Sequence, residues 1–113
     1  MSDEFIVLTT YDIANGEIEE HIGLAQGSTV RSRNFGSDFL ATLKNLVGGE
    51  LVGYSKLLET SREQAYRRMV ADAKSTGANG ILGFRFQTST VAQGAAEILA
   101  YGTAVKIKRY KYE

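Results

Sequence analysis

The chain has 113 residues, of which 43% are hydrophobic and 23% are charged, and its 13 basic and 13 acidic residues leave no formal net charge. This length suits a single domain, residues 1–113, and the charge balance lacks the basic surplus that is typical of nucleic-acid-binding proteins. The chain has no cysteine, which excludes disulfides, thiolate nucleophiles and zinc–cysteine clusters. No apolar run approaches the ~20 residues of a membrane span, and the amino terminus lacks a basic leader. We therefore expect a cytoplasmic protein with no nucleic-acid or membrane partner.

The first 31 residues have the pattern of two strands. Residues Phe5–Thr10 are apolar and β-branched, and the Asn15-Gly16 pair that follows is a turn signal. A second extended stretch covers Ile18–Arg31. Small residues on one face of that stretch, such as Ala25, leave room for a close neighbour.

Two helices are predicted next. Apolar residues recur at helical spacing after Asp38 and stop before Gly48, which predicts the first helix. A longer helix is predicted from about Tyr54 to Ser75, with Gly77 closing it. The small residues on its inner face indicate that it lies close to a sheet. That inner face comprises Tyr54, Leu58, Ser61, Ala65, Met69 and Ala73, widened by Leu57 and Val70.

The last third of the chain alternates as two strands, "ILGFRFQTS" and "AAEILAYGTAVKIK". A hairpin loop centred near Val91 sets Phe84 opposite Ile98 and Arg85 opposite Glu97, so that a large residue meets a smaller one and a cation meets an anion. The order β-β-α-α-β-β predicts an α+β fold, with two helices on one face of a mainly antiparallel sheet.

The chain lacks a complete nucleotide-binding or catalytic signature. The stretch "GGELVGYS" fills three of the four fixed places of a phosphate-binding loop, but Tyr54 stands where lysine is required and the stretch follows a helix. We interpret it as a junction between two helices. His21 is the only histidine, so a Ser-His-Asp triad or a soft metal site depends on it alone. An enzymatic alternative would use Glu50 or Glu97 as a general base, but the sequence assigns no activity.

Arg85 and Glu97 each interrupt an apolar strand. A charge in such a place must be paired, hydrogen-bonded or open to water. Two interpretations follow: the two residues form a structural ion pair, or they line a polar cleft with Tyr54, Arg62 or Glu50 and contact a small ligand.

Several stretches together resemble the YbjQ-like family of bacterial and archaeal proteins. They are "VRSRNFGSDFLATLKNLVGGELVGYSKLL", "REQAYRRMVADAKSTGANGILGFRF" and "EILAYGTAV", and they cover nearly the whole chain. The resemblance implies a YbjQ-like or dodecin-like subunit that assembles into a ring, with the pentamer as the form associated with the family. The matching positions are Arg33, Asn34, Asp38, Gly48, Gly49, Glu50, Tyr54, Gly77, Asn79, Arg85, Glu97, Tyr101 and Gly102.

The resemblance and the residues together favour a homo-oligomer, a pentamer or a multiple of one, that binds a small polar ligand and has no assigned cofactor. The residues expected to line its cavities are Arg33, Asn34, Glu50, Tyr54, Arg85 and Glu97. The alternative is a heavy-metal-binding protein for sequestration or delivery, because the family often carries that label. Such a site would bring the His21 side chains of several subunits together at the ring axis.

Overall fold

The computed structural model describes residues 4–31, 52–92 and 95–110. The described chain is α+β, and its elements are β1 (Ile6–Val7), β2 (Gly16–Arg31), α1 (Val52–Ser75), β3 (Gly80–Ala92) and β4 (Ala95–Arg109). The first predicted helix falls outside the described residues, as do three of the candidate site residues, Arg33, Asn34 and Glu50. Within the described residues, no helix is long and apolar enough to cross a membrane.

The four strands form one mixed sheet in the order β1-β3-β4-β2. Strand β4 pairs with β2 and β3 in antiparallel fashion, whereas the short β1 is parallel to β3. The turn at Asn15-Gly16 is confirmed, with Asn15 at φ 61°. The two strands beside this turn nevertheless lie at opposite edges of the sheet, because residues 8–15 carry the chain from one edge to the other.

Helix α1 buries the inner face that its sequence predicts. Ser61, Ala65, Met69 and Ala73 are each at most 1% exposed, and Leu58 is half-buried beside them. Nothing in the described part of the structure tests the side chains of Tyr54 and Leu57.

The helix ends where Gly77 takes a left-handed backbone conformation, φ 89°. The amides of Gly77 and Ala78 donate to the carbonyls of Lys74 and Ala73, at 3.1 and 3.3 Å. This is the Schellman arrangement, in which glycine avoids a Cβ clash, so the predicted end of the helix is confirmed.

Helix α1 crosses β2 at very short range. A Cβ built on Gly27 would lie 2.3 Å from the amide nitrogen of Met69 and 2.6 Å from the carbonyl oxygen of Ala65. One turn earlier in the helix, the hydroxyl of Thr29 donates to the carbonyl of Ser61 at 3.1 Å. The close contact between helix and sheet therefore depends on glycine in the strand as well as on small residues in the helix.

The register predicted for the β3–β4 hairpin is wrong. Arg85 lies opposite Tyr101 and Ser89 opposite Glu97, and Ala92 pairs with Ala95, which places the loop near residue 93. The register also shifts between Leu82 and Arg85, where Gly83 has φ 65°. The loop lies about two residues later than the predicted centre at Val91, so the partner of Arg85 moves four positions along β4, from Glu97 to Tyr101.

Candidate functional site

The face of the sheet turned away from α1 carries the candidate site. Side chains alternate along each strand, and the register places three of them, from β2, β4 and β3, in each of the rows at Tyr101, Leu99 and Glu97. In the next row Leu24 lies opposite Thr103. We call this surface the open face. Its residues are Leu24, Gln26, Ser28 and Val30 from β2, Thr103, Tyr101, Leu99 and Glu97 from β4, and Arg85, Gln87 and Ser89 from β3.

Apolar side chains on the open face are exposed at the edge strand β2. Leu24 is 64% exposed and Val30 is 50% exposed, whereas Ala25 and Thr29, which alternate with them on the other face, are buried under α1. Leu99 and Tyr101 of the central strand are half-buried. The open face thus combines apolar and polar groups, as surfaces that bind other molecules do.

Arg85 holds the amino-terminal segment against β3. Its Nη1 donates to the carbonyls of Thr9 and Phe84, at 3.1 and 2.7 Å, and its Nη2 donates to the Tyr11 hydroxyl at 3.3 Å. The guanidinium also lies 5.6 Å from the centroid of the Tyr11 ring. Among the described residues, Nε has no hydrogen-bond partner, so the guanidinium keeps a donor for an anion.

Tyr11 is a site residue that sequence reasoning missed. A Cβ on Gly83 would lie 2.7 Å from Cε1 of its ring, so the tyrosine occupies the space that the glycine leaves. Tyr11 and Arg85 are separated by 74 positions, and no spacing motif joins them. The available signal was Gly83, a glycine within an alternating apolar strand, which indicates a bulge or a close neighbour.

The structure does not bring Arg85 and Glu97 together. Half-buried Glu97 lies between Val30 and Ser89, opposite each in the register. Arg85 lies opposite Tyr101, four positions further along β4, which corresponds to about 13 Å along a strand. The predicted ion pair is therefore wrong, and the two charges mark separate ends of the open face.

The helical candidates lie on the other side of the sheet. Arg62 is exposed on α1, and α1 packs on the face that contains Ala25, Gly27 and Ala100. Tyr54 is in the first turn of the same helix. Arg62 therefore does not join Arg85 and Glu97 on the open face of the same subunit.

His21 is exposed in β2, opposite Val105. Within residues 4–31, 52–92 and 95–110, no three side chains of the metal-ligating types meet as a metal site. A metal site built on His21 then requires ligands from another copy of the chain or from residues outside these ranges.

The perturbed titrating group in the described structure lies at the far end of β2. The Tyr110 hydroxyl donates to the Glu17 carboxylate at 3.3 Å. The negative charge of Glu17 raises the pKa of Tyr110 above its ordinary value, with smaller contributions from desolvation and from the hydrogen bond itself. Both residues are exposed, so this pair anchors the end of the sheet without forming a pocket.

Comparison with known proteins identifies one family. The YbjQ_1 family model, described as "Putative heavy-metal-binding", matches residues 5–108. The chain is 53% identical over 102 residues to a UPF0145 protein of Methanosarcina acetivorans, an alignment that covers 90% of this chain and 96% of that one. It is 50% identical over 102 residues to a UPF0145 protein of Clostridium novyi, covering 90% and 99% of the two chains.

A solved structure has the same fold at lower sequence identity. It is a protein from Pediococcus pentosaceus, described as being of unknown function and belonging to the DUF74 family. The two superpose with a TM-score of 0.58 at 16% identity, over 95% of this chain and 100% of that one. At this identity the match supports the fold alone.

Proposed function

Since the chain belongs to the YbjQ family of UPF0145 proteins, we propose that it is a homo-oligomeric ring, a pentamer or a multiple of one, that binds a small polar ligand. The observation that carries the proposal is the open face, on which Leu24 and Val30 are 64% and 50% exposed. Burying the exposed parts of these two side chains contributes about 2 kcal/mol per subunit.

A ring requires two different surfaces on each subunit that fit each other head to tail. Leu24 and Val30 supply one apolar surface, at the β2 edge of the open face. Phe86 supplies a second near the β3 edge, on the opposite face, where it is 41% exposed and packs edge-to-face on Phe84 at 4.9 Å. Two apolar surfaces at opposite edges and on opposite faces suit a head-to-tail contact, whereas a two-fold dimer would use one surface twice.

We expect Leu24→Glu and Phe86→Glu each to lower the assembled mass, because either change puts a charge in the contact. Native mass spectrometry of untagged protein, purified without chelator, measures the mass directly. Gln64→Glu is the matched control, since it makes the same charge change on the exposed side of α1. A wild-type monomer would contradict the ring, and an unchanged mass in both variants would contradict these surfaces.

The ligand part of the proposal depends on the Arg85 guanidinium, whose Nε has no hydrogen-bond partner among the described residues. Nε and Nη2 can bind a carboxylate or phosphate through two parallel hydrogen bonds, which lysine cannot reproduce. In the assembled ring, Glu97 and the predicted residues Arg33, Asn34, Glu50 and Tyr54 would complete the cavity wall.

We expect wild-type rings to retain a small molecule as whole-number additions of mass, and Arg85→Lys rings to lose it. Tyr11→Phe is the control, because it removes the 3.3 Å hydrogen bond to Arg85 and keeps the guanidinium. Thermal unfolding of each variant separates a loss of binding from a loss of fold. Wild-type rings at the apoprotein mass, or equal retention by Arg85→Lys, would contradict the ligand proposal and leave the ring in place.

The family description favours metal binding as a second candidate. The same spectra test it, because a bound Zn, Cu or Ni ion adds a characteristic mass that a His21→Ala variant would lose. With His21 exposed on each subunit, such a site would be shared among copies at the ring axis.

A further inference from the structure

The second half of the edge strand β2 is regular enough to pair with a strand of another chain. Its first half carries two irregularities in register, between Ile18 and Glu20 and between His21 and Gly23, which bend a strand and disfavour further pairing. The second half, residues 24–31, pairs with β4 without a shift. A flat edge with exposed apolar side chains is a template for strand addition.

Helix α1 places two side chains on this flat half. The backbone N–H of Gln26 donates to Oδ2 of Asp72 at 3.0 Å, and Nη1 of Arg68 donates to the backbone carbonyl of Ser28 at 2.6 Å. Both backbone groups point away from β4, so they are the groups that an added strand would have to bond. The close approach of the helix at Gly27 brings Arg68 and Asp72 within reach of the edge.

We propose that Arg68 and Asp72 form an edge guard that prevents the β2 strand of a second copy from pairing with residues 24–31. The helix offers a comparison for this role. Glu63 and Arg67 are also four residues apart, and they bond to each other at 3.2 Å on the solvent side of α1. Arg68 and Asp72 have the same spacing with the charges reversed, yet each bonds to the backbone of β2.

The guard acts by occupying hydrogen-bonding groups more than by adding stability. A new strand must break both hydrogen bonds and displace both charged side chains from the edge before it can pair, which is costly. The proposal goes beyond ring assembly: the ring would bury the side chains of Leu24, Val30 and Phe86, whereas the guard blocks hydrogen bonding to the backbone edge of β2. It holds for a monomer as well as for a ring.

The test compares Arg68→Ala/Asp72→Ala with Glu63→Ala/Arg67→Ala. Each double variant removes one cation and one anion from α1, so the net charge stays the same in both. Light scattering after size exclusion, over a hundredfold range of concentration, reports the mass, and thioflavin T fluorescence reports new cross-strand pairing. We expect only Arg68→Ala/Asp72→Ala to grow in mass with concentration and to bind the dye.

Equal mass distributions for the two folded double variants would overturn the edge guard. Circular dichroism shows whether Arg68→Ala/Asp72→Ala folds. If it does not fold, the masses of Asp72→Asn and Asp72→Ala are compared instead. Asparagine retains an oxygen that accepts the Gln26 N–H and alanine does not, so only Asp72→Ala is expected to associate. Association by both or by neither would then overturn the proposal. A failure of the ring would appear separately, as a wild-type monomer.

Discussion

We expect Gly27→Ala to lower the free energy of unfolding by about 2–3 kcal/mol, and Gly27→Val to lower it further. The new Cβ would lie 2.3 Å from the backbone nitrogen of Met69 and 2.6 Å from backbone atoms of Ala65 and Arg68. Because these are helix backbone atoms, no side-chain rotation relieves the contact, and α1 must move away from the sheet. A loss of this size is a large part of the 5–15 kcal/mol that stabilises a typical domain.

Whether Gly27→Ala lowers or raises the free energy of unfolding shows which factor dominates at this position: the packing of α1 on β2, or the intrinsic preference of the residue for a strand. In an open strand, alanine or valine in place of glycine is neutral or stabilising, because glycine weakens strands. Ser28→Ala is the matched control, since its side chain lies on the opposite face of the same strand. Urea unfolding monitored by circular dichroism measures both variants. A Gly27→Ala midpoint at or above that of the wild type would show that α1 does not rest on Gly27.

The inner face of α1 could be predicted from sequence because a helix imposes its own period. Ser61, Ala65 and Met69 recur every four residues, and a stripe of that kind has one way to be buried. Gly27, which meets this stripe, could be recognised only as a small residue in a strand. The helix residues that contact it are about 40 positions later in the sequence, and no local sequence pattern links residues so far apart.

The β3–β4 hairpin shows where a period of two is insufficient. A displacement by four positions leaves each side chain on its own face, so Phe84 and Ile98 stay under α1 and Arg85 and Glu97 stay on the open face in either register. After Gly83, alternation therefore predicts the faces correctly and cannot select the pairs. Before Gly83 it predicts the wrong face, because the register shift puts Leu82 opposite Thr103, on the other side of the sheet from Phe84. The expected attraction between Arg85 and Glu97 favours the wrong register. In the structure Arg85 instead donates hydrogen bonds to Thr9 and Tyr11, so it does not need Glu97 as a partner.

We expect Asn79→Ala to lower the free energy of unfolding by about 2–4 kcal/mol, because the Asn79 side-chain amide makes two hydrogen bonds to the backbone of β4, as a neighbouring strand would. Its Nδ2 donates to the carbonyl of Ile107 at 2.8 Å, and its Oδ1 accepts the N–H of Ile107 at 2.7 Å. The backbone N–H of Asn79 also donates to Val105 at 3.1 Å, and its carbonyl accepts from Ile6 at 3.3 Å. One residue thus joins β1, β4 and the end of α1, so truncation leaves both polar groups of Ile107 without their partner.

Asn79→Asp separates the two hydrogen bonds of that amide. The new carboxylate can still accept the N–H of Ile107, but its negative charge faces the Ile107 carbonyl, which repels it and raises the carboxyl pKa in the folded state. The protonated form restores the donor. The stability of this variant relative to Asn79→Ala is therefore expected to be greatest below the carboxyl's unfolded pKa of about 3.9, and to fall as pH rises through the folded pKa. Urea midpoints of the two variants between pH 3 and pH 8 measure this difference. If it stayed constant with pH, the Ile107 carbonyl would not depend on a donor from position 79.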